Sequence, residues 1–138
     1  MKKIELLVEA LKKEGLRFTE QRKFIWDEIT SSNDHREAED IFLSLRKKNI
    51  NVSRATVYRT IDVLVKNNLV RKLDIGDAPS KYENKIDSHH HDHMICLETG
   101  DIIEFYNEEL ENLQDEIAKK YGYKVVRHVH QLFVKPIN

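Results

Sequence analysis

A chain of 138 residues, 40 % hydrophobic and 34 % charged with only four glycines and two prolines, has the composition of a helix-rich globular protein. It has room for one ordinary domain or two very small ones, which excludes a large enzyme and wholesale disorder. The net charge of -1 conceals a division: residues 1–75 hold 16 Lys/Arg against 12 Asp/Glu, and residues 76–138 hold 7 against 12. No apolar run reaches the roughly 20 residues of a membrane helix, and the charged start MKKIELLVEALKKEG lacks the apolar core of a secretory signal. A cytoplasmic protein with no membrane partner is therefore expected, and a single cysteine, Cys96, agrees with a reducing compartment.

Ile4, Leu7, Val8 and Leu11 recur at helical spacing, and Gly15 follows as a stop, so residues 3–14 read as an amphipathic helix. Thr19 offers an N-cap for a second helix bearing Phe24, Ile25 and Ile29. Ala38, Ile41, Phe42 and Leu45 mark a third, and Ser53 caps a fourth whose buried stripe is Val57, Ile61 and Leu64, closed by Asn67 and Asn68. The period then changes. LVRKLDI, the turn GDAPS and KYEN read as a small hairpin. Helices followed at once by a hairpin predict a winged-helix version of the helix-turn-helix arrangement over residues 1–84, with a hinge about 76–88. Beyond it, HDHMICLE and DIIEFY form a hairpin about Thr99-Gly100, NEELENLQDEIAKKYG a helix, and YKVVRHVHQLFVKP a strand. The fold class is thus α+β, with residues 89–138 making a small second domain that buries too little surface to stand without a metal or a partner chain.

The basic excess is sharpest from Arg46 to Lys72, where eight basic residues face one acid, Asp62. Such a stripe attracts polyanions, although a solvated basic face would look the same. In the fourth helix Ala55, Arg59 and Asp62 face outward with Tyr58 on the flank. Arginine can take guanine O6 and N7 in a bidentate pair, and aromatic or methyl groups touch thymine methyls. Lys47, Lys48, Lys66, Arg71 and Lys72 are the expected phosphate contacts.

SHHHDHMICLETGDIIEF, residues 88–105, packs four histidines and an aspartate into five positions. Side chains alternate along a strand, so His89, His91 and His93 project to one face and His90 and Asp92 to the other. With a two-residue turn at Thr99-Gly100, Ile95 pairs with Glu104, which puts Glu104 diagonal to His93 on the same face; a turn longer by one residue would send it to the other. Glu111 and His128 are the expected partners of His90 and Asp92. Imidazole nitrogen with carboxylate oxygen suits Fe(II), Mn(II), Co(II), Ni(II) or Zn(II). A polar turn is the bland rival, and a terminal-type affinity tag does not fit the position. A metallo-hydrolase His-x-His-x-Asp-His signature fails because its first histidine would be Ser88, and Cys96, on an inward-facing strand, is a poor nucleophile. The chain is not expected to be an enzyme.

Taken together, TEQR, AEDIF, ATVYRTIDVL, HHHDHMIC and GDIIEF resemble the ferric uptake regulator family of bacterial metal-dependent repressors over nearly the whole chain. The resemblance implies an N-terminal winged-helix DNA-binding domain, a hinge, and a C-terminal α/β domain that makes a homodimer on a palindromic, AT-rich double-stranded DNA operator. It carries a regulatory metal site onto His35, Glu83, His91, His93 and Glu104, and an additional site onto His90, Asp92, Glu111 and His128. The DNA-facing set becomes Lys13, Arg22, Lys48, Ser53, Arg54, Ala55, Thr56, Tyr58 and Arg59. The peroxide-sensing branch carries aspartate where this chain has Glu104, which favours Fe(II) here, with Zn(II) or Mn(II) as alternatives. Cys96-Leu-Glu-Thr99 and the tail FVKPIN lack the Cys-x-x-Cys pairs of a structural zinc, so no tetrathiolate site is expected. A peroxide, zinc or manganese sensor and, from another class, a metal buffering or delivery protein are the rival functions.

Overall fold

The computed structural model describes residues 3–86 and 91–137, which fall into two units, 1–88 and 89–138. The first unit runs α1 (Ile4–Lys13), α2 (Glu20–Thr30), β1 (Arg36–Glu37), α3 (Ala38–Lys47), α4 (Arg54–Lys66), β2 (Val70–Ile75) and β3 (Ala78–Asn84). The second holds β4 (Asp92–Cys96), β5 (Ile102–Phe105), α5 (Glu108–Lys120) and β6 (Gln131–Val134).

Side chains present in the sequence cap the helices. Thr19 accepts from the N–H of Arg22, Ser53 from Thr56 and Asn107 from Leu110, each satisfying a donor that the first helical turn leaves unpaired. At the other ends, Gly15 and Asn68 adopt positive φ, the left-handed conformation that turns the chain out of a helix. Leu7, Leu11, Ile25, Trp26, Ile41, Leu45, Val57, Ile61 and Leu64 are fully buried together, so α1 to α4 share one core.

The strand order β1-β3-β2 makes a three-stranded wing. β3 begins earlier than the KYEN segment predicted, at Ala78, and includes Pro79 beside a shift of register between Leu73 and Ile75, a place where no ladder N–H is required of proline. β1 was not expected. Its two residues are extended because they pair with Tyr82 and Lys81 of β3, a contact across more than forty residues that has no local periodicity.

A buried carboxylate ties this unit together. Glu28 of α2, 5 % exposed, meets Arg36 at 2.7 Å, Lys48 at 2.6 Å and Ser44 at 3.0 Å. Burial pushes its carboxyl upward, but the bonds from Lys48, Arg36 and Ser44 outweigh it and hold the group below the usual carboxylate range. A depressed folded-state value means that this stability is present above the unfolded value of 4.5 and lost as pH falls through the folded one. Glu28→Gln is expected to cost about 3 kcal/mol in urea unfolding at neutral pH, because it leaves two cations without their counter-charge. The gap between variant and wild type should narrow below pH 4.5.

In the second unit the sheet order is β5-β4-β6, with β4 antiparallel to β5 and parallel to β6. The predicted final strand is shorter than its apolar pattern: β6 covers Gln131–Val134, and residues 123–130 form no strand. Ile95 and Cys96 are the buried apolar residues described here, and α5 buries none of its side chains.

Candidate metal centre and nucleic-acid surface

In the first unit, β1 and β3 bring a histidine to a carboxylate. His35 Nε2 lies 2.8 Å from Glu83 Oε2, and Glu83 is 3 % exposed. Arg71, the cross-strand partner of Glu83, donates from Nη1 to Oε1 at 2.7 Å. A buried carboxylate needs such partners to stay charged. The guanidinium thus fixes one oxygen and leaves the other directed at His35. Glu28, by anchoring Arg36, sets the strand next to His35.

In the second unit, His93 stands directly opposite Glu104, and Ile95 opposite Ile102. The expected Ile95–Glu104 pairing is therefore displaced by two residues. Gly100 N–H donates to Cys96 O and Cys96 N–H to Asp101 O, so the loop holds four residues where two were expected. An even displacement preserves the face, and Glu104 stays beside the histidines. His91 Nε2 approaches Glu104 Oε2 at 3.3 Å, and the His91 and His93 rings meet edge to face with centroids 4.7 Å apart.

The opposite face carries a second set. His128 Nε2 is 3.0 Å from Asp92 Oδ1 and 3.3 Å from Glu111 Oε2, and one ligand atom from each of the three residues lies within 4.8 Å of the others. Asp92 is buried and the other two are half-buried. His90, assigned to this set from the sequence, lies outside the described residues. All these donors are imidazole nitrogens and carboxylate oxygens, a combination that takes divalent iron, manganese or zinc.

On α4, Ala55, Tyr58, Arg59 and Asp62 are exposed, as the helical wheel requires, and Tyr58 is 44 % accessible. Lys13, at the end of α1, is also exposed. Several other expected DNA contacts are already engaged. Ser53 caps α4, Arg22 donates from Nη1 to Arg17 O, Lys48 is held by Glu28, and Arg54 is held by Glu39 of α3. Lys66 reaches Glu14, and Arg71 is turned to Glu83. Sequence reasoning missed Glu28, Glu39 and the structural use of Arg71, because each acts through a contact between elements distant in the chain; only the Arg71–Glu83 pairing was open to an estimate, from the hairpin register.

A winged-helix unit with an exposed α4, followed in the chain by a small sheet that bears imidazole–carboxylate sets on both faces, has the parts of a metal-responsive DNA-binding regulator. No helix among the described residues is long and apolar enough to cross a membrane. Comparison with known proteins agrees. Residues 13–133 match the model of the Ferric uptake regulator family. The chain is 38 % identical to the Ferric uptake regulation protein of Helicobacter pylori strain 26695, over 95 % of this chain and 87 % of that protein. Among solved structures it resembles the Helicobacter pylori ferric uptake regulator, described as having three functional metal binding sites, with a TM-score of 0.84 and 38 % identity over 96 % of this chain and 88 % of that one. It also resembles a zinc-bound manganese uptake regulator, with a TM-score of 0.66 and 36 % identity over 96 % and 99 % of the two chains. The chain belongs to the ferric uptake regulator family and is a metal-responsive transcriptional regulator.

Proposed function

We propose that this protein is an Fe(II)-responsive repressor that binds a palindromic, AT-rich operator as a homodimer when one divalent ion is held by His35, Glu83, His91, His93 and Glu104. The observation that carries the reading is that each unit offers an incomplete donor set of the same chemistry. His35 and Glu83 supply one nitrogen and one oxygen, already 2.8 Å apart; His91, His93 and Glu104 supply two nitrogens and one oxygen on one face of a hairpin. Neither set alone fills the coordination shell of a first-row divalent ion. An ion shared by both would couple the winged helix to the dimerisation unit, and so set the spacing of two recognition helices against two half-sites. Arg71 supports this by holding one oxygen of Glu83 in place. Asp92, Glu111 and His128, with His90, would hold a second ion that stiffens the C-terminal unit.

Iron is favoured by glutamate at position 104. A manganese or zinc sensor is the second reading, supported by the likeness to the zinc-bound manganese uptake regulator. The decisive experiment is an anaerobic titration of binding to AT-rich palindromic duplexes with Fe(II), Mn(II) and Zn(II), joined to identification of the metal that co-purifies. Metal-strengthened, salt-sensitive binding with Fe(II) at the lowest free concentration supports the proposal. Metal uptake with no duplex binding would instead indicate a buffering or delivery protein.

A further inference from the structure

Arg54 is the first residue of the recognition helix, and it is not presented to solvent as an open cation. Its Nε and Nη2 each lie 2.9 Å from one of the two carboxylate oxygens of Glu39, and its guanidinium carbon sits 4.4 Å above the Phe42 ring. Glu39 and Phe42 both belong to α3, so the neighbouring helix holds the fork from two sides. A two-pronged guanidinium–carboxylate pair has the same donor geometry as guanidinium on phosphate. The pair is surface-lying, with the side chains 54 % and 38 % exposed, and such pairs contribute little to folding. Its position at the edge of the DNA-facing helix is therefore the feature that calls for a role.

We propose that Glu39 is an internal phosphate mimic that keeps Arg54 from contributing to non-specific DNA association, and so sets the ratio of operator binding to background binding. The inference rests on the DNA-binding reading above. For Arg54 to reach a phosphate on an arbitrary duplex, an existing bidentate pair must open, and the released Glu39 carboxylate then lies beside the polyanion. Contact with phosphate replaces one charge pair by another and adds a repulsion. In agreement, hydrogen bonding from Arg54 holds the Glu39 carboxyl below its ordinary range, with a smaller contribution from Tyr58.

The test is the salt dependence of binding, followed by fluorescence anisotropy in Mn(II) buffer, to two duplexes. One is a mixed-sequence duplex without inverted repeats; the other is the duplex that wild-type protein enriches from a random-sequence pool. Glu39→Gln keeps the size of the side chain and removes its charge. It should raise affinity for the mixed duplex about two- to fivefold at low salt and steepen the log–log salt slope by about 0.9 for each recognition helix engaged. The selectivity for the enriched duplex should fall accordingly. In Glu39→Gln/Arg54→Gln the gain and the extra slope should disappear. An unchanged slope in the single variant, with thermal melting showing an intact fold, overturns the inference, and so does a gain that persists without Arg54, since that would be a general charge effect. If wild-type protein binds neither duplex, the DNA-binding reading itself is rejected.

Discussion

Replacing His91 with alanine is expected to erase the metal dependence of DNA binding while leaving the fold intact. His91 lies just before β4, outside the paired strand, and its side chain is 12 % exposed. Its ring meets Glu104 and His93, and it is not among the buried apolar residues of the unit, so its removal takes away a nitrogen donor without opening a hydrophobic core. Coupling between effector and DNA sites is typically about 1 to 3 kcal/mol, a 5- to 150-fold change in affinity. In the variant the ratio of operator affinities with and without Mn(II) should fall from that range to near one. Because coupling is reciprocal, operator DNA should raise the metal affinity of wild-type protein by the same factor, and that of the variant not at all. Gel retardation and calorimetric metal titration measure the two halves of this cycle. A variant that still tightens its grip on the operator when metal is added would reject His91 as a ligand of the switch.

The donors of the proposed switch were readable in the sequence to an unequal degree. Alternation along HHHDH predicts His91 and His93 on one face and Asp92 on the other, and among the described residues His91 and His93 meet Glu104 while Asp92 meets His128. The caps Thr19 and Ser53 were equally legible, because the unpaired donors of a helix start are met by a few residue types at fixed offsets. Register was less so. The pairing of His93 with Glu104 depends on four loop residues, and turn chemistry at Thr99-Gly100 pointed to two; the face of Glu104 survived because the error was even. Contacts that close over long sequence separations were not legible. β1 exists only because β3 lies beside it, and Glu28 gathers Arg36, Ser44 and Lys48 from two later elements. Residues 123–130 mark a different limit: their alternation is that of a strand, yet they form none, and the segment is held instead by single contacts such as His93 N–H to His130 O and His128 to Asp92.

The second large effect is expected from Leu113→Glu/Ile117→Glu. The two side chains lie one turn apart on α5, each 52 % exposed, and glutamate is a good helix former, so the substitutions should leave the helix of an isolated chain undisturbed. The C-terminal unit nevertheless has the pattern of a half-built core. α5 has no fully buried side chain, Val126 and Val129 are 92 % and 78 % exposed, and Ile103, Leu132 and Phe133 of the edge strands β5 and β6 are open as well. About fifty residues with such a surface are too few to remain folded and dissolved alone. A second copy of the chain would cover that face. Charging α5 should then shift the protein from a dimer to a single chain of 16.4 kDa in light scattering. Each winged helix would reach only one half-site, and loss of the second, intramolecular contact typically costs a factor of about 100 to 10,000. Operator binding should fall by at least the lower figure, whereas the short-range pairs His35–Glu83 and Asp92–His128 are left in place. A variant that still scatters as a dimer and holds the operator as tightly as wild type would show that α5 is not part of the joint.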